Sequence, residues 1–388
     1  MGSRAPSADD VITQACDGTG LSDFGGDTYR EGLEVFLAAM AGDAPLTQDA
    51  VEQYTSMLVR RLSNRLQIED WYRRHPEIAE TPVQGPTAVM GVPRTGTSAL
   101  VNMLALDPTF RALRSFEAAA PVPPLDITTE HEDPRYVGAT QLKERLRDVR
   151  SPLMAMHLFD PLGPEEDFDL LGLDVKAMQA ADPLFSYITW WRSCDMTPCF
   201  AYHARTLALL HSKRPPTDWV LKAPHYNFHV DAFVAAYPDT RFVVTHRDPV
   251  AAIPSACSII TSQYSNKTTE PLDLTKVGPF FLEHFVEGKR REIASRARVG
   301  HDRFFDVQHR SLNDDPIGTL RRIYAFLDRP FPDDLGGHVD AWVMENRSGA
   351  HGVHRYTLEQ FGLSASRIRD EFAEYISAFD VPVDERVT

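Results

Sequence analysis

The stretch from Thr87 to Leu104, TAVMGVPRTGTSALVNML, joins a short apolar run to a second one with helical spacing. Between them, GVPRTGTS is nearly a phosphate-binding loop. The nucleotide-triphosphatase pattern G-x-x-x-x-G-K-[ST] finds its glycines at Gly91 and Gly96 and its hydroxyl at Ser98, but Thr97 stands where the lysine belongs. A strand-to-helix turn of this kind offers backbone N–H groups and the positive end of a helix dipole to an anion. Thr95, Thr97 and Ser98 add hydroxyl donors, and Arg94 puts a permanent cation on the turn, able to fork onto an anionic oxygen. The combination suits a phosphate or a sulfate. Losing the lysine argues against a triphosphate and weakens the case for Mg²⁺.

A second anion site is readable in VVTHRDPVAAIPS. Arg247 closes an apolar run, Pro249 opens a helix, and Ser255 follows eight residues after the arginine. A strand-end arginine and a helix-borne hydroxyl can clamp a phosphate. Two anion sites at neighbouring strand ends suit a nucleotide phosphorylated at two positions. A further polar cluster, Lys222 to His225, ends the run DWVLKAP.

Four apolar runs must position these groups: 87–90, 218–224, 240–248 and, more weakly, 303–309. They read as buried strands separated by helical patterns, which predicts an α/β fold, a P-loop-type parallel sheet flanked by helices. Ligands sit beyond the carboxyl ends of such strands, so the polar clusters should meet in one place. Residues 1–30 are polar and glycine-rich, and a loosely ordered start is expected. From Thr28 to His75 the period is helical. Val51, Tyr54, Leu58, Leu62 and Leu66 form one apolar face. The arginines of that helix are expected on a solvated face, with a homodimer contact left open. Residues 114–216 lack strand patterns and read as a helical cap. Its aromatic residues Trp190, Trp191, Phe200 and Tyr202 suit a core or an apolar pocket equally. The expected organisation is one domain, with an N-terminal helical region (1–82), an α/β core (83–113 and 217–315), the cap (114–216) and C-terminal helices (316–388).

Bulk properties narrow the functional classes. The 388 residues carry a formal charge of −15, which disfavours nucleic acid and anionic membrane surfaces as partners. No apolar run approaches the roughly 20 residues a membrane span needs, and the start lacks the apolar region of a signal peptide. A cytoplasmic protein is expected. Cys16, Cys194, Cys199 and Cys257 have neither zinc nor redox spacing and read as free thiols. The histidines, His351 and His354 included, form no metal-binding pattern, so no metal is expected.

With GVPRTGTS and HRDPVAAIPS in hand, the chain resembles sulfotransferases that use 3′-phosphoadenosine 5′-phosphosulfate. It is most similar to the bacterial, actinobacterial-type branch, itself similar to tyrosylprotein sulfotransferases. An RHPEI-like lead-in, DP, a glutamate before a proline-rich stretch, PEE, LKAPH and HRDP occur in that order between His75 and Pro249, and a late segment around Phe361 to Tyr375 also matches. The resemblance implies that Arg94 contacts the sulfuryl group and that Thr95, Gly96, Thr97 and Ser98 cradle the 5′-phosphate. Arg247 and Ser255 would hold the 3′-phosphate and Lys222 would steady the leaving phosphate. Ser348 matches a late serine near the bridging oxygen, with Arg347 beside it on the 3′-phosphate. His309 stands where a tyrosine often approaches the adenine, a role imidazole can also fill by stacking.

The implied reaction is in-line transfer of a sulfuryl group to a hydroxyl of a small or lipid-like acceptor, without a metal. Positioning and charge stabilisation carry such transfers. Glu117 matches the glutamate that serves as general base in related branches. His225, three residues after Lys222, is its main competitor, and Glu165, Glu166 and His157 are further ones. For Glu165 and Glu166 a helix N-cap role after Pro164 is expected instead. Two other classes remain open: a P-loop nucleotide kinase or NTPase, and a nucleotide-binding relative that has lost catalysis.

Overall fold

A computed structural model describes residues 5–81, 83–146, 160–177, 183–264, 266–346 and 356–383. Its sheet has five parallel strands: β1 (Thr87–Gly91), β2 (Phe110–Ala112), β3 (Asp218–Lys222), β4 (Arg241–His246) and β5 (Phe304–Gln308). Their order in space is β2-β3-β1-β4-β5. The four predicted runs are β1, β3, β4 and β5; β2 was not expected. All five strands fall within 83–113 and 217–315, and the described parts of 114–216 are helical or irregular.

The strands are apolar on both sides because both faces are covered. Ala88, Met90, Leu221, Phe242 and Val244 face one hydrophobic cluster, which takes in the helices of 197–211 and 274–299. Val89, Val220, Val243 and Val307 face another, built with Leu100, Val101 and Leu104 of the helix Thr97–Leu104 and with Leu320 and Ile323. The order of the strands does the positioning. β1 lies between β3 and β4, so the turn after β1 is flanked by the ends of both neighbours. Val89 is level with Lys222, and Gly91 with Thr245.

Two expectations need correction. The polar, glycine-rich segment is not loose where it is described: Ala8–Thr19 is a helix, started by a capping box between Ser7 and Asp10, and residues 1–4 lie outside the described residues. Its Val11 and Ala15 pack against the long helix Gln48–Arg74. That second helix does bury Val51, Tyr54, Leu58, Leu62 and Leu66 as predicted. Its arginines, however, are not all solvated. Arg61 and Arg65 are buried, and Arg65 bonds Asp174 at 2.7 Å while its guanidinium lies 3.9 Å over the Tyr202 ring. The charge is compensated by an aspartate more than a hundred residues away, which no local period reveals.

Candidate active site

The turn after β1 is built from backbone conformations that its sequence allows only in part. Gly96 has φ +101° and, as a glycine, caps the helix Thr97–Leu104 with no side-chain bond of its own. A Cβ there would come within 3.3 Å of His309 and Leu312. At Gly91 a Cβ would strike Thr245 Oγ1 at 2.6 Å. Glycine is therefore required at the left-handed position and at the close approach. The helix start keeps its first N–H groups directed at the mouth of the turn, the arrangement that binds anions. Thr95, predicted as a hydroxyl donor, is wholly buried. Its Oγ1 bonds Val92 O at 2.7 Å and lies 2.6 Å from Thr245 Oγ1, so its hydroxyl pins the turn to β4.

On the β3 side, Lys222 is almost fully buried and its Nζ donates to Ser98 Oγ at 2.9 Å. The same ammonium lies 2.6 Å from Glu166 Oε1. Sequence reasoning missed this pairing. It assigned Glu165 and Glu166 to a helix cap, but the nearby helix starts at Phe168, after Asp167. Instead, Arg114 and Pro164 form an isolated bridge, and Glu165 N donates to Leu113 O, which holds the two glutamates against the chain leaving β2. Burial pushes the Glu165 carboxyl above its usual range, and the negative charge of Glu166 adds to the effect. Behind this segment Asp167 accepts from the Tyr226 hydroxyl, and His203 and Tyr237 complete a buried polar group.

On the β4 side, Arg94 Nε donates to Ser255 Oγ at 3.2 Å, and Arg247 Nη1 donates to Arg94 O at 2.9 Å. The two predicted clamp residues are thus in one cluster with the first turn. Arg94 is itself left-handed, at φ +73°. Burial lowers the affinity of Arg94 for its proton, and the nearby Arg247 lowers it further. His309 is depressed to about 4, by burial first and then by Arg247 and Arg94. Three basic groups crowd one another around the ends of β1, β4 and β5. A bound anion would relieve that crowding.

The candidate bases fare differently. Glu117 is 1% exposed, with Arg111 and Arg114 each 2.8 Å from its oxygens and Arg214 at 3.6 Å. Burial alone would raise its carboxyl, but the three guanidiniums outweigh burial and hold it below the usual range. His225 is buried against Phe168 and Trp191, and neither ring nitrogen has a partner among the described residues. Burial, with help from His229 and His203, drives its pKa down to about 3, so it is neutral. His157, Arg347, Ser348, His351 and His354 lie outside the described residues. Trp191, Phe200 and Tyr202 are core residues, and Trp190 donates to Glu31 at 3.1 Å. Of two surface cavities, of about 650 and 600 Å³, neither is lined by a candidate base, and the second takes in Arg214.

All four cysteines are free thiols. Among the described residues, no three His, Cys, Asp or Glu side chains are grouped to hold a metal ion, and no helix is long and apolar enough to cross a membrane.

Comparison with known proteins places this geometry. The model of the sulfotransferase family matches residues 86–333. Omega-hydroxy-beta-dihydromenaquinone-9 sulfotransferases of Mycobacterium bovis and Mycobacterium tuberculosis are 26% identical over 258 residues, 64% of this chain and 64% of their own length. The crystal structure of sulfotransferase STF9 from Mycobacterium avium superposes with a TM-score of 0.89 at 30% identity, covering 97% of each chain. Sulfotransferase STF1 from Mycobacterium tuberculosis gives 0.84 at 28% identity, covering 96% of this chain and 99% of the other.

Proposed function

Because the chain belongs to the sulfotransferase family, we propose that it moves a sulfuryl group from 3′-phosphoadenosine 5′-phosphosulfate to a hydroxyl of a small, lipid-like acceptor. The observation that carries this reading is the meeting of two anion-binding ends beside one turn. One holds Ser98 and Lys222; the other holds Arg94, Arg247, Ser255 and His309. The uncapped helix start and the flanking glycines fit a 5′-phosphate. The crowded cations of β4 and β5 fit a second phosphate. A triphosphate ligand would want a lysine at Thr97 and a carboxylate for Mg²⁺.

In the proposed transfer, an acceptor hydroxyl takes the place of the nucleotide phosphate on sulfur, and its proton goes to a protein carboxylate. Lys222 and Arg94 offset the charge that grows on the departing phosphate, the kind of preorganised stabilisation that is worth several kcal/mol in a water-poor site. Glu117 is the proposed base. The arginines keep it ionised, the state a base needs, but one guanidinium must give way before it can take a proton. Arg114 is the more exposed of the two closest arginines. A second reading has Glu165 as base, favoured by its raised carboxyl and its place beside the partner of Lys222. Positions 347 and 348 are proposed to complete the nucleotide site.

The test is transfer of ³⁵S from labelled 3′-phosphoadenosine 5′-phosphosulfate to a panel of quinols, sterols and long-chain alcohols, some with a terminal hydroxyl. Labelled product without added metal supports the proposal. Phosphate transfer from ATP with Mg²⁺, and none of sulfate, would replace it with a kinase. Tight nucleotide binding with no transfer to any acceptor would leave a binding protein.

A further inference from the structure

Arg247 is held from behind. The Tyr375 hydroxyl lies 3.2 Å from Arg247 N, which donates to it, and 3.4 Å from Arg247 O, to which it donates. One phenol thus engages both backbone groups of the residue that ends β4. Tyr375 belongs to a short C-terminal helix, Ala373–Ala378, and is 3% exposed. Its position is fixed by a largely buried charge network beneath it, which reaches the surface at Asp306. Lys289 pairs with Glu292, Arg296 bonds Glu292 Oε1 and Asp306 Oδ1 at 2.7 Å each, and His246 Nε2 lies 2.7 Å from the same Asp306 oxygen. The Lys289 ammonium lies 4.9 Å from the Tyr375 ring, and the His246 ring stacks on Phe379 at 4.3 Å. Gln308, the last residue of β5, donates to Phe379 O at 2.8 Å.

We propose that Tyr375 is a positioning residue for the second phosphate: the C-terminal helix, anchored on the Lys289–Glu292–Arg296–Asp306–His246 network, fixes the backbone of Arg247 and so aims its guanidinium. This rests on the two-phosphate reading of the site. Arg247 lies just past the end of β4 and before the helix Pro249–Ser262, so neither its N–H nor its C=O is part of the β4 ladder. The helix Ala373–Ala378 supplies a partner for both through the Tyr375 hydroxyl. Since Arg247 also donates to Arg94 O, a displaced Arg247 would release its grip on the first turn too, but the 5′-phosphate keeps its helix N-terminus and Lys222. The effect of losing the phenol should therefore fall on ligands that carry a 3′-phosphate.

The experiment compares adenosine 3′,5′-bisphosphate with adenosine 5′-monophosphate by calorimetry, using wild type, Tyr375→Phe and Phe372→Leu. Phe372 packs against Tyr375, with ring centroids 5.6 Å apart, and serves as a packing control. Wild type is expected to prefer the bisphosphate. Tyr375→Phe should lose about 5-fold in affinity for the bisphosphate and leave the monophosphate unchanged, a change within the range of one hydrogen bond. Phe372→Leu should melt earlier and keep the preference. If wild type shows no preference, the two-phosphate reading itself is wrong. If wild type prefers the bisphosphate but Tyr375→Phe keeps the full preference, or weakens both ligands equally, the positioning role is overturned. Loss of the preference in Phe372→Leu would overturn it as well, because packing alone would then suffice.

Discussion

The two flanks of the turn after β1 are charged in opposite styles. On the β3 side every cation has an anion: Lys222 has Glu166, and Arg111, Arg114 and Arg214 surround Glu117. On the β4 side Arg94, Arg247 and His309 gather with Asp248 and the Tyr356 phenol opposite them, and His309 loses proton affinity to burial first and then to Arg247 and Arg94. The balanced flank has its ion pairs without a ligand, while the crowded flank is the one proposed to receive a phosphate. The proposed division of labour has Arg247, Ser255 and His309 supplying nucleotide affinity, and the balanced side, joined by Arg94, supplying reactivity.

Breaking the balanced side should cost the most. Lys222→Met is expected to lower kcat by about 10³-fold, as when a charge-stabilising donor is removed, with a much smaller change in bisphosphate affinity. If affinity collapses and kcat survives, the two flanks have been assigned the wrong way round.

The carboxylates come next. Glu117→Gln should lower kcat by about 10²-fold or more, and Glu165→Gln by less than about 10-fold, in line with the usual worth of a general base. The pH profile separates them without mutation. Glu117 is held low, so an activity limb that belongs to it appears only below the usual carboxylate range. A limb above that range would mark Glu165, which burial holds high. The same depression makes Glu117 stabilising. Its ion pairs contribute fully above the unfolded-state value and are lost as pH falls through the lower folded value. Glu117→Gln should therefore be less stable at pH 7, as followed by urea unfolding, and that deficit should shrink in acid.

Breaking the crowded side should act on binding. Arg247→Ala is expected to weaken the bisphosphate about 10- to 100-fold, the worth of a charge-assisted contact, with little change for the monophosphate. The smallest effect belongs to His309. A nearby phosphate should raise its pKa from about 4, so binding takes up a proton in mild acid. Bisphosphate affinity should rise about 2- to 3-fold between pH 7 and pH 5, given the roughly 1.4 kcal/mol that one pKa unit represents. His309→Phe should flatten that rise in a titration series.

The two flanks were not equally legible in the sequence. The cations of the crowded side follow apolar runs directly, and central parallel strands are the easiest elements to read. The pairings of the balanced side are tertiary. Nothing local links Glu166 to Lys222, and a Pro-Glu-Glu run is as good a cap as a site. Strand β2 escaped because it has only three residues and carries Arg111, which lies 4.2 Å over the Trp219 ring. The first helix escaped for another reason. Its composition is polar, and only the Ser7–Asp10 reciprocal cap betrays it. Arg61 and Arg65 were misplaced because a charge on a helix is normally solvated, and the aspartates that permit their burial come from the cap.

Arg94 carries a cation on a left-handed residue, where most proteins would place glycine. Holding a side chain there costs about 1 kcal/mol or more of folding free energy. Replacing it by glycine would relax the turn and remove the charge in one step. In the proposed role of Arg94, a change made for stability alone would thus take the cation out of the site, and ease of folding and chemistry pull this one torsion in opposite directions.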